Sequence, residues 1–417
     1  MHSLELNDDK FLLDKKTGEI LGISDCKNKS LDPRVYFSPN NFPFIDRRHT
    51  NIGSCFADIE ALTGSWNVNI SDGVASIDLI PKNTPLDEYR LTLKNHIRKN
   101  IQDIYNKHSE VNLFFSGGID SLVCLAVIVS LGYAEKTRLH IILDYSQPHP
   151  DTLSNNQLHR LTIKNLLDSL GKIWLGIEYH KIDQTQYSHI FNESDYDGMR
   201  CHSTWSIIKK YYRQAWINGG HGNRTLLHHR DLADEILIRN STQLIKYQEL
   251  KSQKFYTQHL TTSGVDNPLT AIQYRGLSVK PWHRLSGFQE NSIYTPLANN
   301  AMFDCVRSLD FSRIDLSVIA HATLGRELVD EFSKGKWNQY IVGETVEDGD
   351  NIPPNINIKV ESIDPKLLRL DHSVSHATKG LDYLEYCIKK SHGTGLIDLN
   401  VLCCIKLLDR IEELVNT

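Results

Sequence analysis

The chain has 417 residues, 40% hydrophobic and 23% charged, and 46 Lys+Arg against 51 Asp+Glu give a formal net charge of −5. This is ordinary globular composition: it excludes collagen-like, coiled-coil and disordered chains, and at roughly 100–200 residues per domain it supplies two or three domains with a sizeable core. The slight acidity argues against bulk adhesion to nucleic acid.

The eight cysteines include no C-x-x-C pair and read as reduced thiols of a cytoplasmic protein. The N-terminus shows no basic region followed by an apolar one, and the longest apolar stretch, 122–131, is broken by Ser130. It is too short to cross a bilayer, so no membrane partner is expected.

In chain order, residues 1–85 predict a small β-rich region. Lys16-Thr17-Gly18-Glu19 suits a tight turn. Trp66 to Ile70 alternates before Ser71-Asp72-Gly73, and Val74 to Ile80 alternates again, a hairpin signal. After Pro85, Leu91, Leu93, Ile97, Ile101 and Ile104 recur at helical spacing. Arg90, Lys94, Arg98 and Lys99 lie on the other faces, and a basic helix face is ordinarily just solvated. Val111 to Phe115 then reads as a strand, Ser116-Gly117-Gly118 as a turn and Ile119 to Leu131 as a helix.

The pattern repeats with a strand at Leu139 to Leu143, an amphipathic helix at Thr152 to Leu170 and a strand at Ile177 to Ile182. Alternation of this kind implies an α/β fold with a doubly wound, mainly parallel sheet. Ser206 to Trp216 reads as a helix leading into a strand at Trp216-Ile217, which ends in Asn218-Gly219-Gly220-His221-Gly222. Residues 183–205 are expected as a loop; from about 235 onward the expectation is mostly helical, with loops at 261–295 and 348–354 and a closing amphipathic helix at Leu396 to Leu414. The domains so drawn are 1–85, 86–345 and a loop-plus-helical 346–417.

Ser116-Gly117-Gly118-Ile119-Asp120-Ser121 is the one specific motif. At ~5–7% usage for each fixed residue type, a chance match in a chain of this length occurs about once in two thousand. Two glycines let the main chain pass close to phosphate oxygens, and the following helix aims its unpaired N–H groups and positive dipole end at them. Ser116 and Ser121 add hydroxyl donors. Asp120 would repel phosphate unless a cation stood between, so it implies Mg²⁺.

These residues resemble the phosphate-binding loop of the N-type ATP pyrophosphatases, over about residues 86–340. The resemblance implies an adenine-nucleotide α-hydrolase-like fold, ATP and Mg²⁺ as cofactors, and cleavage of ATP between its α and β phosphates to activate an oxygen as an adenylate. Within the superfamily the chain looks most like the asparagine synthetase branch, with its β-lactam synthetase and lasso-peptide cyclase relatives. Gly219, Gly220 and His221 match a second glycine loop that helps hold pyrophosphate. Tyr294-Thr295-Pro296-Leu297 resembles the branch's helix entry. Lys336 and Lys334 stand where relatives keep a lysine for the transition state. Phe114, Leu143 and Asp144, at strand ends, are expected to take the adenosine.

There are two departures. The branch has an acidic residue after the second glycine loop, where Asn223-Arg224 stands here: either Arg224 neutralises pyrophosphate directly, or the next acids, Asp231, Asp234 and Glu235, supply the ligand, or the site is altered or inactive. Glutamine-dependent members carry a nucleophilic cysteine at position 2, where this chain has His2, and about 85 residues before the α/β region are too few for a full glutaminase; residues 1–85 are expected to be a reduced remnant of one. The function implied is an ATP-dependent ligase joining a small-molecule or peptide carboxylate to an amine or ammonia, without glutamine hydrolysis. The alternatives are a nucleobase- or tRNA-modifying enzyme of the same superfamily and a degenerate nucleotide-binding regulatory protein. No zinc-ligand spacing surrounds His221, His228 and His229. The run Lys209-Lys210-Tyr211-Tyr212-Arg213 is explained by a helix with a tyrosine packed inward.

Overall fold

In a computed structural model of the chain, residues 84–144, 163–181, 214–219, 222–227, 292–297, 322–340, 357–369 and 381–398 are described continuously. Short strands and turns between 2 and 79 are described with them, as are isolated positions at 25, 192, 207, 210–211, 302, 305, 309, 314, 318, 401–402 and 405–406.

The described part of the N-terminal region is β-structure, as its alternation predicts: β1 (His2–Leu4), β2 (Leu12–Asp14), β3 (Ile20–Leu21), β4 (Val35–Ser38), β5 (Asn41–Ile45), β6 (Ile59–Ala61), β7 (Trp66–Ser71) and β8 (Val74–Leu79). β7 and β8 pair antiparallel from Trp66↔Leu79 to Ser71↔Val74, and β1 adds to β7. The turn after β2 closes because Gly18 takes φ 75°, a left-handed value glycine accepts without strain. The Asp14 carboxylate there accepts hydrogen bonds from the Lys16 and Thr17 amides.

The α/β part opens with α1 (Leu86–Lys107), whose Leu93, Ile97, Ile101 and Ile104 are buried on one face. β9 (Val111–Phe115), α2 (Ile119–Ser130) and β10 (Thr137–Asp144) follow. Residues 163–170 are helical, and then come β11 (Gly176–Lys181), β12 (Ala215–Ile217), α3 (Gly222–Thr225) and β13 (Ser292–Tyr294). α4 (Thr323–Ser333), β14 (Asn357–Lys359), α5 (Leu381–Thr394) and β15 (Leu396–Asp398) complete the described elements.

A five-stranded sheet has the order β11-β10-β9-β12-β13, and all of its pairings are parallel. The chain steps outward from β9 to β10 and β11, then returns to the other side of β9 for β12 and β13. The strand order therefore reverses between β9 and β12.

Alternate residues of each strand face opposite sides of the sheet. Val111, Leu113, Phe115, Leu139, Ile141, Ala215 and Ile217 join one buried apolar cluster with α1, α2, α4 and Ile163, Leu166 and Leu167. α2 is apolar all round, and its residues Ser121 to Ile128 are buried, as such a helix must be. The two outer helices are clasped: Arg90 pairs with Glu327 at 2.8 Å and Lys94 with Glu331, linking α1 to α4 by residues one helical turn apart on each.

Two expectations are corrected. The stretch 261–295, expected as loop, ends in β13, which pairs with β12 from Ala215↔Ser292 to Ile217↔Tyr294. Leu396 to Leu414 does not begin as a helix: Gly395 takes φ 71° at the end of α5, and Leu396–Asp398 pairs with β14, Ile397 opposite Ile358, both buried. A left-handed glycine after a helix halts it, and burying Ile397 on Ile358 rewards the extended form. Helical residues reappear at 401–402 and 405–406. The loops at 183–205 and 348–354 lie outside the described residues apart from Asn192. No described helix is long and apolar enough to cross a membrane.

Candidate functional site

The motif Ser116–Ser121 forms the bend between β9 and α2. Gly117 takes φ 78°, a left-handed value that favours glycine. Gly118 is the N-cap of α2 and makes no side-chain capping bond. The Ser116 hydroxyl, on the exposed Ser116, accepts from the Gly118 amide at 3.3 Å and lies 3.2 Å from the Ser121 hydroxyl. Ser121 is buried, and its hydroxyl donates to the Gly118 carbonyl at 3.0 Å. Ser121 thus braces the bend from inside, while Ser116 is the hydroxyl on the outer side.

The second glycine loop leaves the end of β12, beside β9, and comes down on the first turn of α2. A β-carbon on Gly219 would lie 2.9 Å from the Ser121 nitrogen and 3.0 Å from the Asp120 carbonyl carbon. A β-carbon on Gly222 would lie 2.7 Å from Asp120 Cγ and 2.8 Å from its Oδ1. Gly219 is therefore closed to any larger side chain by backbone, whereas at Gly222 the atoms in the way are the ends of the Leu297 and Asp120 side chains; the second loop lies directly against the Asp120 backbone and carboxylate.

α3 is held there from behind. The buried Thr225 hydroxyl donates to the Leu297 carbonyl at 2.7 Å, and the Tyr89 hydroxyl of α1 donates to the Thr225 carbonyl. Asn100 of α1 donates to the Pro296 carbonyl at 2.9 Å. The segment Tyr294-Thr295-Pro296-Leu297 thus serves as a backstop to α3. α4 closes the other side: a β-carbon on Gly325 would lie 2.7 Å from Ile119 Cγ1.

Of the residues expected at the site, the fold brings together Ser116, Gly117, Gly118, Ile119, Asp120, Ser121 and Gly219. Phe114 lies on the opposite sheet face, stacked on Trp216 with ring centroids 4.5 Å apart. Leu143 and Asp144 end β10. Asn223 and Arg224 contribute backbone to α3, while Gly220, His221, His228 and His229 lie outside the described residues. Lys334 ends α4 and Lys336 lies two residues beyond it. Lys334 caps the far end of α4, roughly 13 Å along the helix axis from Gly325 at 1.5 Å per residue, and both lysines are exposed.

The residues fit a bound phosphate with its metal. The bend offers main-chain amides at the head of α2, the Gly118 amide bonded to the Ser116 hydroxyl, the backbone contact at Gly219 keeps a side chain out of the junction, and Asp120 adds a carboxylate oxygen, the ligand type Mg²⁺ takes. Sequence patterning missed Gly325, Thr225 and Tyr89, whose partners lie far away in the chain.

It also missed a polar cluster on the sheet face opposite the apolar core. Buried His140 of β10 lies between Asn112 of β9, with Nε2 2.9 Å from Asn112 Oδ1, and His180 of β11, with Nδ1 2.9 Å from His180 Nε2. Asn112 Nδ2 donates to Gln214 Oε1 at 2.9 Å and to the Ala215 carbonyl at 3.2 Å. Burial first, then the neighbouring His180, Arg138 and Lys210, push the His140 imidazole down to about 3, so it is neutral. Burial also lowers His180, against an opposing pull from Glu178. Glu178 pairs with Arg138 at 3.5 Å and Lys210 at 3.1 Å and accepts from the Tyr211 hydroxyl. Tyr211 is half-buried against this cluster, as the inward-tyrosine expectation had it. The legible signal was polar alternation, Arg138-x-His140 and Glu178-x-His180, in strands of a parallel sheet that is ordinarily apolar on both faces.

A scan against protein-family models finds no match, and a search of curated proteins finds none either.

Proposed function

We propose that the chain is an ATP-dependent, AMP- and pyrophosphate-forming ligase of the asparagine synthetase type, activating a carboxylate as its adenylate and joining it to an amine or ammonia. One observation carries this: two glycine loops about a hundred residues apart in the chain meet where the strand order reverses, Gly219 lying against the Asp120–Ser121 backbone with no space for a β-carbon. Open parallel sheets bind ligands in that crevice, beyond the carboxyl ends of the strands. The strand order also fits a doubly wound, adenine-nucleotide α-hydrolase-like sheet, with α2 and residues 163–170 on the apolar face and Tyr211 on the other.

In this account the amides of Gly117 to Ser121 hold the β- and γ-phosphates at the head of α2, and Ser116 adds an exposed hydroxyl. Asp120 holds Mg²⁺, which when bound supplies charge neutralisation between phosphate oxygens and carboxylate. Backbone at the ends of β9 and β10, Phe114, Leu143 and Asp144, takes the adenosine. The resemblance assigns Gly220, His221 and Arg224 to the pyrophosphate. Arg224, Lys334 and Lys336 are the candidate counter-charges, assigned by the resemblance. The substrates are a small-molecule or peptide carboxylate and an amine, with cytoplasmic residence.

Asn223-Arg224 in place of an acidic residue favours a second reading, a regulatory protein that binds nucleotide without turning it over. ATP–pyrophosphate exchange across a panel of carboxylates, with Asp120→Ala as control, separates the cases. Exchange with one carboxylate that is lost in the variant supports the ligase. Tight Mg·ATP binding with no exchange supports the regulator, submicromolar RNA affinity at physiological salt supports a nucleobase modifier, and exchange unchanged in the variant removes Asp120 from the chemistry.

A further inference from the structure

The polar cluster on the far face of the sheet plays no part in the nucleotide site, and its geometry is that of a ligand set. An imidazole nitrogen from each of His140 and His180 and a carboxylate oxygen of Glu178 all lie within 4.8 Å of one another. We propose that His140, His180 and Glu178 form a second metal site, for a zinc-class divalent transition metal, separate from the Mg²⁺ site at Asp120.

The tautomer of His140 is fixed by partners that can act in only one sense. The Ala215 carbonyl only accepts, so the Asn112 amide turns its NH₂ toward β12 and its oxygen toward His140. An amide oxygen also only accepts, so His140 Nε2 carries the hydrogen and Nδ1 presents a lone pair to His180. This is the arrangement by which a second-shell amide orients a metal-bound imidazole. Without metal, His180 Nε2–H donates across the 2.9 Å gap to His140 Nδ1. On metal uptake the His180 hydrogen moves to its own Nδ1, so both imidazoles remain neutral ligands.

Ligands at 2.0–2.1 Å in a tetrahedron are roughly 3.3 Å apart. The two nitrogens are already near that spacing, and Glu178 closes the set with a small side-chain movement. Two imidazoles and one carboxylate select zinc, cobalt or nickel over Mg²⁺, which prefers oxygen ligands. The fourth position is left for water or a ligand atom. Entry is from the β11 side, the edge of the sheet among the described residues, where the Glu178 side chain is 23% exposed. The Tyr211 hydroxyl orients the carboxylate, whereas Arg138 and Lys210 compete with the metal for its lone pairs and set a modest affinity.

The test uses the full-length chain with Co²⁺ as spectroscopic probe and excess Mg²⁺ holding the Asp120 site. The expected result is one equivalent of Co²⁺ with visible d–d bands, displaced by Zn²⁺ and unaffected by Mg²⁺. His180→Ala abolishes the bands and Glu178→Gln weakens binding at least about tenfold, with circular dichroism reporting that each variant is folded. Lys210 is exposed and outside the ligand set, so Lys210→Ala is well tolerated. It tightens Co²⁺ binding about threefold to tenfold by removing a nearby positive charge. No Co²⁺ bands, bands that survive His180→Ala, or an affinity unmoved by Lys210→Ala would each overturn the proposal.

Discussion

Replacing Gly219 by alanine adds one carbon at the junction on which the proposed nucleotide site depends. That carbon would stand 2.9 Å from the Ser121 nitrogen, 3.0 Å from the Asp120 carbonyl carbon and 3.1 Å from the Ser121 Cα. Ordinary contact begins near 3.4 Å, so the two loops must part by about 0.5 Å, and everything in the way is backbone rather than a side chain that can rotate aside. Overpacking of this kind costs about 1–3 kcal/mol, which lowers the melting temperature by roughly 2–10 °C for a domain of this size. The displacement falls on the amides proposed to bind phosphate, so Mg·ATP affinity should drop about tenfold or more, since sub-ångström misplacement of a positioned group is expensive. Thermal melts with and without Mg·ATP read both quantities, because a ligand bound only by the folded state raises the midpoint by mass action.

Gly393→Ala in α5 is the matched control. No heavy atom lies within 4 Å of its added carbon, and helix propensity gains about 0.5–1 kcal/mol, so its melting temperature should hold or rise. A Gly219→Ala protein with an unchanged melting temperature would refute the packing geometry. One that melts earlier yet binds Mg·ATP as tightly as the parent would make the junction structural only.

Two further predictions follow from the supports of the site and the polar face. Thr225→Val removes the buried donor of the Leu297 carbonyl and should cost about 1–3 kcal/mol in urea unfolding, with lower Mg·ATP affinity as α3 loosens against Asp120. For the metal-free protein in chelator, the His140 ring is held neutral in the fold, down to about 3 from its ordinary 6.5. Below 6.5 the unfolded chain takes up a proton the fold refuses, so stability is full above that value and falls toward pH 3. His180, Glu178, Arg138, Lys210 and Tyr211 face the ring throughout. Urea midpoints should decline between pH 7 and pH 5, by up to about 2 kcal/mol from this ring, and His140→Asn should flatten the decline.

The core of the α/β part was legible because it is written locally. Val111 to Phe115 is a short apolar run, the two glycines stop it, and the apolar residues from Ile119 announce a buried helix. The Trp66–Leu79 hairpin was legible for the same reason, since its register follows from alternation across one turn. β13 was not, because Ser292-Ile293-Tyr294 is three residues long and becomes a strand only by hydrogen bonding to β12. β15 hid inside a helical pattern because three residues cannot distinguish the two periods, and its pairing with β14 comes from residues some forty positions earlier.

The site divides in the same way. The bend proposed to bind phosphate is a contiguous motif, so residue types and spacing expose it. What completes it is tertiary: the need for glycine at 219 is set by the Asp120–Ser121 backbone, and the close approaches at 222 and 325 by the side chains of Leu297, Asp120 and Ile119 across space. The lysines expected to act there, Lys334 and Lys336, were chosen by their order along the chain, and they stand at and just beyond the C-terminal end of α4. In the polar cluster each residue looks unremarkable in its own strand, and chemistry emerges only when β9, β10 and β11 lie side by side.

The central claim, that the bend between β9 and α2 grips the outer phosphates of ATP through a magnesium ion, is tested most directly by a crystal structure of the chain with a non-hydrolysable ATP analogue and Mg²⁺. The account predicts β- and γ-phosphate oxygens within hydrogen-bonding distance of the Gly117–Ser121 amides, with the metal on the Asp120 carboxylate. A nucleotide bound elsewhere, with that bend and Asp120 making no contact to phosphate or metal, would contradict it.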